Sequence, residues 1–450
     1  MNRRAALAHL AALPVALSGA GGSAACASER PVLRPEDFRR AEQGSDDAPS
    51  IQAAIVEAAR IGGIVRLASG KIYRLESIAA GSDMSSRSYR ASLAIPPGAA
   101  NLTFDFNGAT LLQAVDGFTF GSLYRKFNDR TMEESRREIR AIPRVGDIVV
   151  RTTDASGISR GSRIMLVSGN VFHHAYVPIA ELFSVVRVEG SDIVLDRPVT
   201  KDHGLAAGKQ TGIIDVTEHS ARAIELVGPG KVINHFRRAG HFIQIDGFTM
   251  RGVDFEGTGG FSVRGRAIHV AECSAVIVPR PDSPYQPYAI AFDTGSSEIT
   301  LERFRAVGKP SCFIHLHEGL SNVRLTDIAI INEWQAEPAG AASDALSIKG
   351  ISWNIEVENL LIANNPQGGG VVARQSKVMK GGNSGLELRN VTLRGKFRAP
   401  ALVLDDANSV LVSGLDLADA AVPGRRSVIS LRGARHRVSG ADTGAAGAAS

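Results

Sequence analysis

From about residue 242 the chain reads as short segments in which apolar and non-apolar positions alternate. The segments span 243–246, 267–271, 289–293, 313–317, 345–349, 370–374, 401–405 and 428–432. Their starts lie about 22 to 32 residues apart, the spacing of coils in a solenoid. Alternation with a period of two marks a strand with one buried face. A second column follows most of these segments, at 248–255, 299–307, 323–330, 355–362, 386–393 and 410–417. Each member is two short strands meeting at a bend occupied by Gly252, Arg303, Asp327, Asn359, Asn390 or Gly414. Gly, Asn and Asp tolerate the left-handed backbone that a sharp turn needs. The pattern predicts about three strands per coil, parallel pairing between coils, and inward Ile, Leu and Val stacked into one continuous core.

A solenoid end exposes unpaired strand edges and needs a cap. The stretch 46–60 supplies a helix, with an aspartate at its N-cap, Pro49 near its first turn, and Ile51, Ile55 and Ala58 on one face. Gly62-Gly63 ends it, and strands are expected at 64–69, 71–75 and 102–112. The repeat is interrupted between about 112 and 211. Within that gap 132–140 reads as a charged surface helix, and 145–203 as an inserted β subdomain with a hairpin turn at Gly190-Ser191. The coils are expected to fill 28–437, and the Ala/Gly/Ser-rich tail, 438–450, to be disordered.

Composition adds a compartment. Residues 1–27 read as an export signal: Arg3-Arg4, an apolar run from 5 to 17, and a small-residue cleavage site at Ala25-Cys26-Ala27. The paired arginines are compatible with the twin-arginine route, so a periplasmic or secreted protein is expected. No run is long enough to span a bilayer. Cys273 and Cys312 read as isolated core thiols rather than a disulfide framework. The formal charge is +5, and without the signal 49 basic side chains face 46 acidic ones. Such a mild excess fits an anionic ligand, and the low aromatic content of 6% speaks against nucleic acid.

The run Asp46-Asp47-Ala48-Pro49-Ser50-Ile51-Gln52-Ala53-Ala54-Ile55, followed by Gly62-Gly63 and the strand pair ending at Tyr73, resembles the opening of the pectate-lyase-like superfamily. That superfamily includes polysaccharide lyases, polygalacturonases and phage tailspikes. The resemblance implies an all-β, right-handed parallel β-helix with an N-terminal capping helix. The stretch 343–350 is also similar to the polygalacturonase segment G-D-D-C-I-A-I-K-S-G. It aligns Asp344 with the second catalytic aspartate and Lys349 with the lysine. Ser343 stands where the first aspartate would be, Cys312 where another belongs, and Gly369-Gly370 where a histidine belongs. An inverting glycosidase needs two carboxyl groups at the cleaved bond.

Stacking the first-column segments brings distant residues into rows about 4.8 Å apart. One predicted outward row is Gln244, His269, Ala291, His315, Ser347. Its neighbour is Asp246, Ala271, Asp293, His317, Lys349, Arg374, Asp405, Arg432. The basic cluster suits β-elimination of a uronate polymer. Arg374 would bind the sugar carboxylate with its planar fork. Lys349 or His315 would be the base, His317 or His269 the acid, and Asp293 would orient a histidine. Arg237-Arg238, beside His235 and His241, form a basic patch, and Trp334, Tyr285 and Tyr288 are candidates for stacking on sugar rings. His173-His174 read as surface residues. No cofactor is expected, and calcium has little support because Asp246 and Asp293 stand two coils apart. The readings are an acidic-polysaccharide lyase, a glycoside hydrolase using Asp344 with Asp293 or Glu318, and a carbohydrate-binding or assembly protein without catalysis. Oligomeric state is left open.

Overall fold

A computed structural model describes residues 30–80, 90–122, 135–169, 179–206, 211–278, 288–310, 312–333, 344–366, 368–374, 384–405, 408–417, 419–422, 427–432 and 436–439. The predicted export signal, His173-His174, Tyr285, Trp334 and the tail beyond 439 lie outside them.

The chain is a right-handed parallel β-helix. Among the described residues, twenty-two strands form one parallel sheet system wound into coils, and six more form a separate antiparallel sheet. Three stacks run through the coils. The first joins Tyr288–Phe292, Cys312–Leu316, Leu346–Lys349, Val371–Arg374, Leu402–Asp405 and Ile429–Arg432 rung by rung. Inside it Ile290, Ile314, Leu346, Val371 and Leu402 sit in register and are fully buried. The second stack aligns Ile268, Ile299, Val323, Ile355, Leu386 and Val410.

The third stack aligns Phe304, Ile328, Leu360, Val391 and Leu415, and between it and the second the chain bends at the predicted positions. Gly252, Arg303, Asp327, Asn359, Asn390 and Gly414 all have left-handed φ values between 49° and 66°. Adjacent bends are tied side chain to side chain: Asn359 donates to Asp327 at 2.8 Å and Asn390 to Asn359 at 3.1 Å. Short polar residues thus bridge one coil to the next.

The expected cap is the helix Ala48–Ile61, closed by Gly62 in the left-handed conformation. Ile51, Ala54, Ile55 and Ala58 are buried against the first coil. Capping differs in detail from the sequence reading. The Asp47 carboxylate turns away to Arg39 Nη1 (2.5 Å) and the Arg74 amide (2.8 Å), while Asp46 Oδ1 accepts the Ala48 amide at 3.0 Å. Further along, the core is braced by buried phenylalanines. Phe104 and Phe120 meet edge to face at 5.2 Å, and Phe242 stacks on Phe261 at 5.9 Å and 5°. Such pairs contribute about 0.5–1.5 kcal/mol each beyond burial.

The inserted sheet is wider than 145–203. Arg137–Glu138 and Thr211–Asp215 are its outer partners, so it extends from 137 to 215. Within the expected helix 132–140, Arg137 and Glu138 are instead strand, pairing antiparallel with Ile213 and Gly212. Around the insert the coils continue directly, with Leu102 beside Ile224 and Phe120 beside Gly240. No described helix is long and apolar enough to cross a membrane.

A second difference sets the site. The stretch 221–271 is one unbroken run of β structure, and its coils are offset from the sequence alignment. The partner of Ala291 in the preceding coil is Ser262, while Ile268 and His269 belong to the second stack, beside Ile299 and Thr300.

Candidate functional site

Alternation on the first stack sends every second side chain out of the core. The register gives two outward rows. The middle row is Ser262, Ala291, His315, Ser347, Val372, Val403. The outer row continues one step beyond the paired apolar residues Val263, Phe292, Leu316 and Ile348. It contains Arg264, Asp293, His317, Lys349 and Arg374. The ladder confirms this step: the Asp293 amide donates to Val263 O (2.8 Å), that of His317 to Phe292 O (3.0 Å), and Lys349 pairs with Arg374.

Asp293 is the hub. Its Oδ2 accepts the Ser262 hydroxyl at 2.5 Å and lies 4.0 Å from His241 Nδ1, and its Oδ1 lies 3.4 Å from His317 Nε2. Burial pushes the Asp293 pKa up, but the fields of His317 and His241, the Ser262 hydrogen bond and Arg264 outweigh it. The net shift is downward, and the carboxylate stays ionised. Burial lowers His317 to about 4 and His241 to about 4, with Asp293 opposing in each case and the nearby arginines reinforcing. Both imidazoles are neutral at neutral pH.

His315 is in the predicted row but is covered. It is 3% exposed, stacked on His317 at 4.0 Å and met edge-on by Tyr288 at 5.0 Å. Neither of its ring nitrogens has a hydrogen-bond partner among the described residues, and burial drives its pKa far down. Arg238 lies over the Tyr288 ring at 4.6 Å, so this half of the basic pair does reach the cluster. Arg237 does not. It is buried and donates to Asp116 at 2.8 Å.

Asp344 sits at the start of its strand's coil segment. Its Oδ1 accepts the Gly369 amide at 3.1 Å, and Arg374 Nη2 approaches its Oδ2 at 3.6 Å. Burial raises the Asp344 pKa, against Arg374, the Gly369 amide and Lys349. Arg374 therefore leans back along its strand across the face, with 53% of its side chain exposed.

Three predicted members lie elsewhere. His269 projects from the second stack, 3.2 Å from Glu302. Gln244 is buried at a left-handed bend beside the insert, near Ala180, Leu182 and Gly295. Asp246 is held by Arg163 and by Arg266, whose Nε is 2.5 Å away. The physical reason is the offset just described: Phe261, Ser262 and Val263, not the 243–246 and 267–271 segments, enter the first stack. The sequence reading missed Ser262 and Arg264, and it took His241 only as a neighbour of the Arg237-Arg238 basic patch. The signal was there as Phe261-Ser262-Val263-Arg264, an alternating tetrad between Gly260 and Gly265.

Among the described residues no group of three or more His, Cys, Asp or Glu is arranged to hold a metal ion. Cys273 and Cys312 are buried free thiols, with burial pushing Cys273 up to about 12.

No protein-family profile matches the chain, and no curated protein matches it. Among solved structures it is similar to the tailspike protein of Pseudomonas phage LKA1, with 12% identity and a TM-score of 0.49, covering 86% of this chain and 72% of that one. It is similar to the tailspike of Pseudomonas phage phi297 at 11% identity and 0.47, covering 83% and 64%. A tailspike of Acinetobacter baumannii bacteriophage AP22, described in complex with a capsular saccharide, overlaps at 10% identity and 0.30, covering 85% and 74%. The fold assignment stands on the strand register of this chain.

Proposed function

We propose that the chain is a polysaccharide-active protein that cleaves an acidic, uronate-containing polymer by β-elimination along the outer row of its first stack. The observation that carries this reading is the run Asp293, His317, Lys349, Arg374 over four successive coils, with His317 kept neutral.

The chemistry follows from the order of the groups. Arg374, exposed and planar, neutralises the uronate carboxylate and so acidifies the adjacent C5–H. His317, oriented through Nε2 by Asp293, takes that proton. The C–H electron pair becomes the C4–C5 double bond, and the C4–O bond breaks. Lys349, between the two on its own coil, donates a proton to the departing oxygen. His315 is too covered to act as base, and His269 faces another surface, so the acid and base roles concentrate on His317 and Lys349. Export to the periplasm or beyond would bring such a protein to extracellular polymer.

One observation favours a hydrolase instead: burial raises Asp344 while its surroundings lower Asp293, the split expected of an acid and a base. Their placement argues against it. They lie two coils apart and at opposite ends of their segments, Asp344 before the strand Leu346–Lys349 and Asp293 after the strand Tyr288–Phe292. An inverting pair needs about 6.5–9.5 Å between carboxyl groups.

The test is incubation of the purified protein with a panel of uronate polymers. New ultraviolet absorbance from an unsaturated product is the expected result. New reducing ends without it would replace the lyase by a hydrolase, and binding without cleavage would leave only a carbohydrate-binding protein.

A further inference from the structure

The contact between the inserted sheet and the coils contains a fully buried lysine. Lys201 lies in the insert, and its Nζ faces four backbone carbonyls: Gly319 O at 2.6 Å, Ala180 O and Gly295 O at 2.7 Å, and Ser296 O at 3.3 Å. One of these belongs to the insert and three to the coils. An ammonium has three N–H donors and no acceptor, so it satisfies such a cage, whereas the lone pair of a neutral amine would oppose it. The counter-charge is Glu181, also fully buried, which accepts the Lys201 and Thr200 amides and the Thr200 hydroxyl. Burial would raise Glu181, but His203, Lys201 and Thr200 outweigh it and hold it at about 2.

The carbonyls are placed where they matter for the outer row of the first stack. Gly295 follows Asp293 by two residues, and Gly319 follows His317 by two. The two turns are also rungs of one ladder: the Gly295 amide donates to Glu318 O at 3.2 Å, and the Gly319 amide to Ile351 O at 2.6 Å. Gly295 has a φ of 83°, and a Cβ there would come within 2.8 Å of Ala180 Cβ, so the insert packs directly on this turn. Other insert-to-coil pairs, Arg266 to Asp196 at 2.7 Å and Arg197 to Glu298 at 3.3 Å, lie outside the carbonyl cage and are partly exposed.

We infer that Lys201 is a positioning residue: its ammonium acts as a built-in cation that locks the turn after Asp293 to the turn after His317, and so fixes the Asp293–His317 contact from outside the row. Its bearing on turnover rests on the lyase reading; the locking itself does not. The insert then has a definite role, which is to hold two neighbouring coils in one relative setting that strand pairing alone leaves soft.

The experiment reads His317 and Lys201 by NMR and needs no turnover, so failure of the lyase reading leaves it informative. Burial lowers Lys201 to about 7 against the field of Glu181, so in the wild-type protein at pH 5.5 one lysine side chain should show a protonated, slowly exchanging –NH₃⁺ signal that Lys201→Arg removes. Lys201→Met should lower the His317 pKa by at least half a unit, because the Asp293 contact that raises it is loosened, while Asp196→Asn, which removes a different insert-to-coil pair, should leave it within a few tenths. In Lys201→Ala, potassium or ammonium chloride should move His317 back toward its wild-type value, and tetramethylammonium should not. Absence of the protected ammonium overturns the inference, even if the variants fail to fold. So does an unmoved His317 in a folded Lys201→Met, or an equal shift in Asp196→Asn.

Discussion

The imidazoles of His315 and His317 lie face to face, 4.0 Å between centroids and 7° from parallel, yet only His317 reaches Asp293. Two residues of the same type on the same strand face thereby receive opposite tasks. His315 packs under Tyr288, and His317 sits at the open edge with a carboxylate to orient it.

The first prediction concerns that pair. Asp293→Asn and His317→Ala should each lower kcat on a cleaved uronate polymer by about 10²–10⁴-fold, the usual contribution of a general base. Asp293→Asn should also lower the His317 pKa, because Asp293 is the group that raises it. Steady-state kinetics and an NMR titration check the two halves separately.

Lys349 and Arg374 are both exposed in the outer row of the first stack. Lys349→Ala and Arg374→Ala should each abolish turnover while leaving the thermal midpoint within a few degrees. Full activity in both variants would remove the site assignment.

His269→Ala should leave turnover within twofold of wild type. Its side chain pairs with Glu302 on the second stack, away from the outer row of the first. A large loss would show that the site had been assigned to the wrong face.

pH dependence follows from the depressed histidines. His317 and His241 titrate near 4 in the folded chain and near 6.5 when unfolded. Between these values the unfolded state binds more protons, so stability rises with pH. The contribution is fully present above about 6.5 and disappears as pH falls through about 4. Together the two should be worth a few kcal/mol, read as the difference between denaturant unfolding at pH 7.5 and at pH 4. Activity should fall over the same lower limit, as the base becomes protonated.

Phe292→Ala should cost about 3–5 kcal/mol, since the ring is fully buried immediately before Asp293. A shift in the denaturation midpoint measures it, and a cost under 1 kcal/mol would contradict the packed core.

Much of this protein is written locally. Period-two alternation from 289 onward set the first-stack rungs, because each strand must bury one face. The bend residues Asp327, Asn359, Asn390, Gly252 and Gly414 could be named because left-handed backbone selects few residue types, and only Arg303 was placed there by spacing alone. Helix 48–61 was legible from its apolar face and closing glycines. These features depend on neighbours within a few residues.

Tertiary structure decided the rest. Between 221 and 271 no turn breaks the β run, so the sequence offers two offsets, and only rung-by-rung pairing put Ser262 beside Ala291 and sent His269 to another face. The closing strands of the insert, 137–138 and 211–215, are too short to carry a pattern of their own. Coverage of His315 by Tyr288, the tie of Arg237 to Asp116 and the carbonyl cage of Lys201 all involve partners 21 to 121 residues away. A residue's type tells what it can bind, but burial and charge from distant coils determine whether it stays neutral, becomes inaccessible, or holds two turns together.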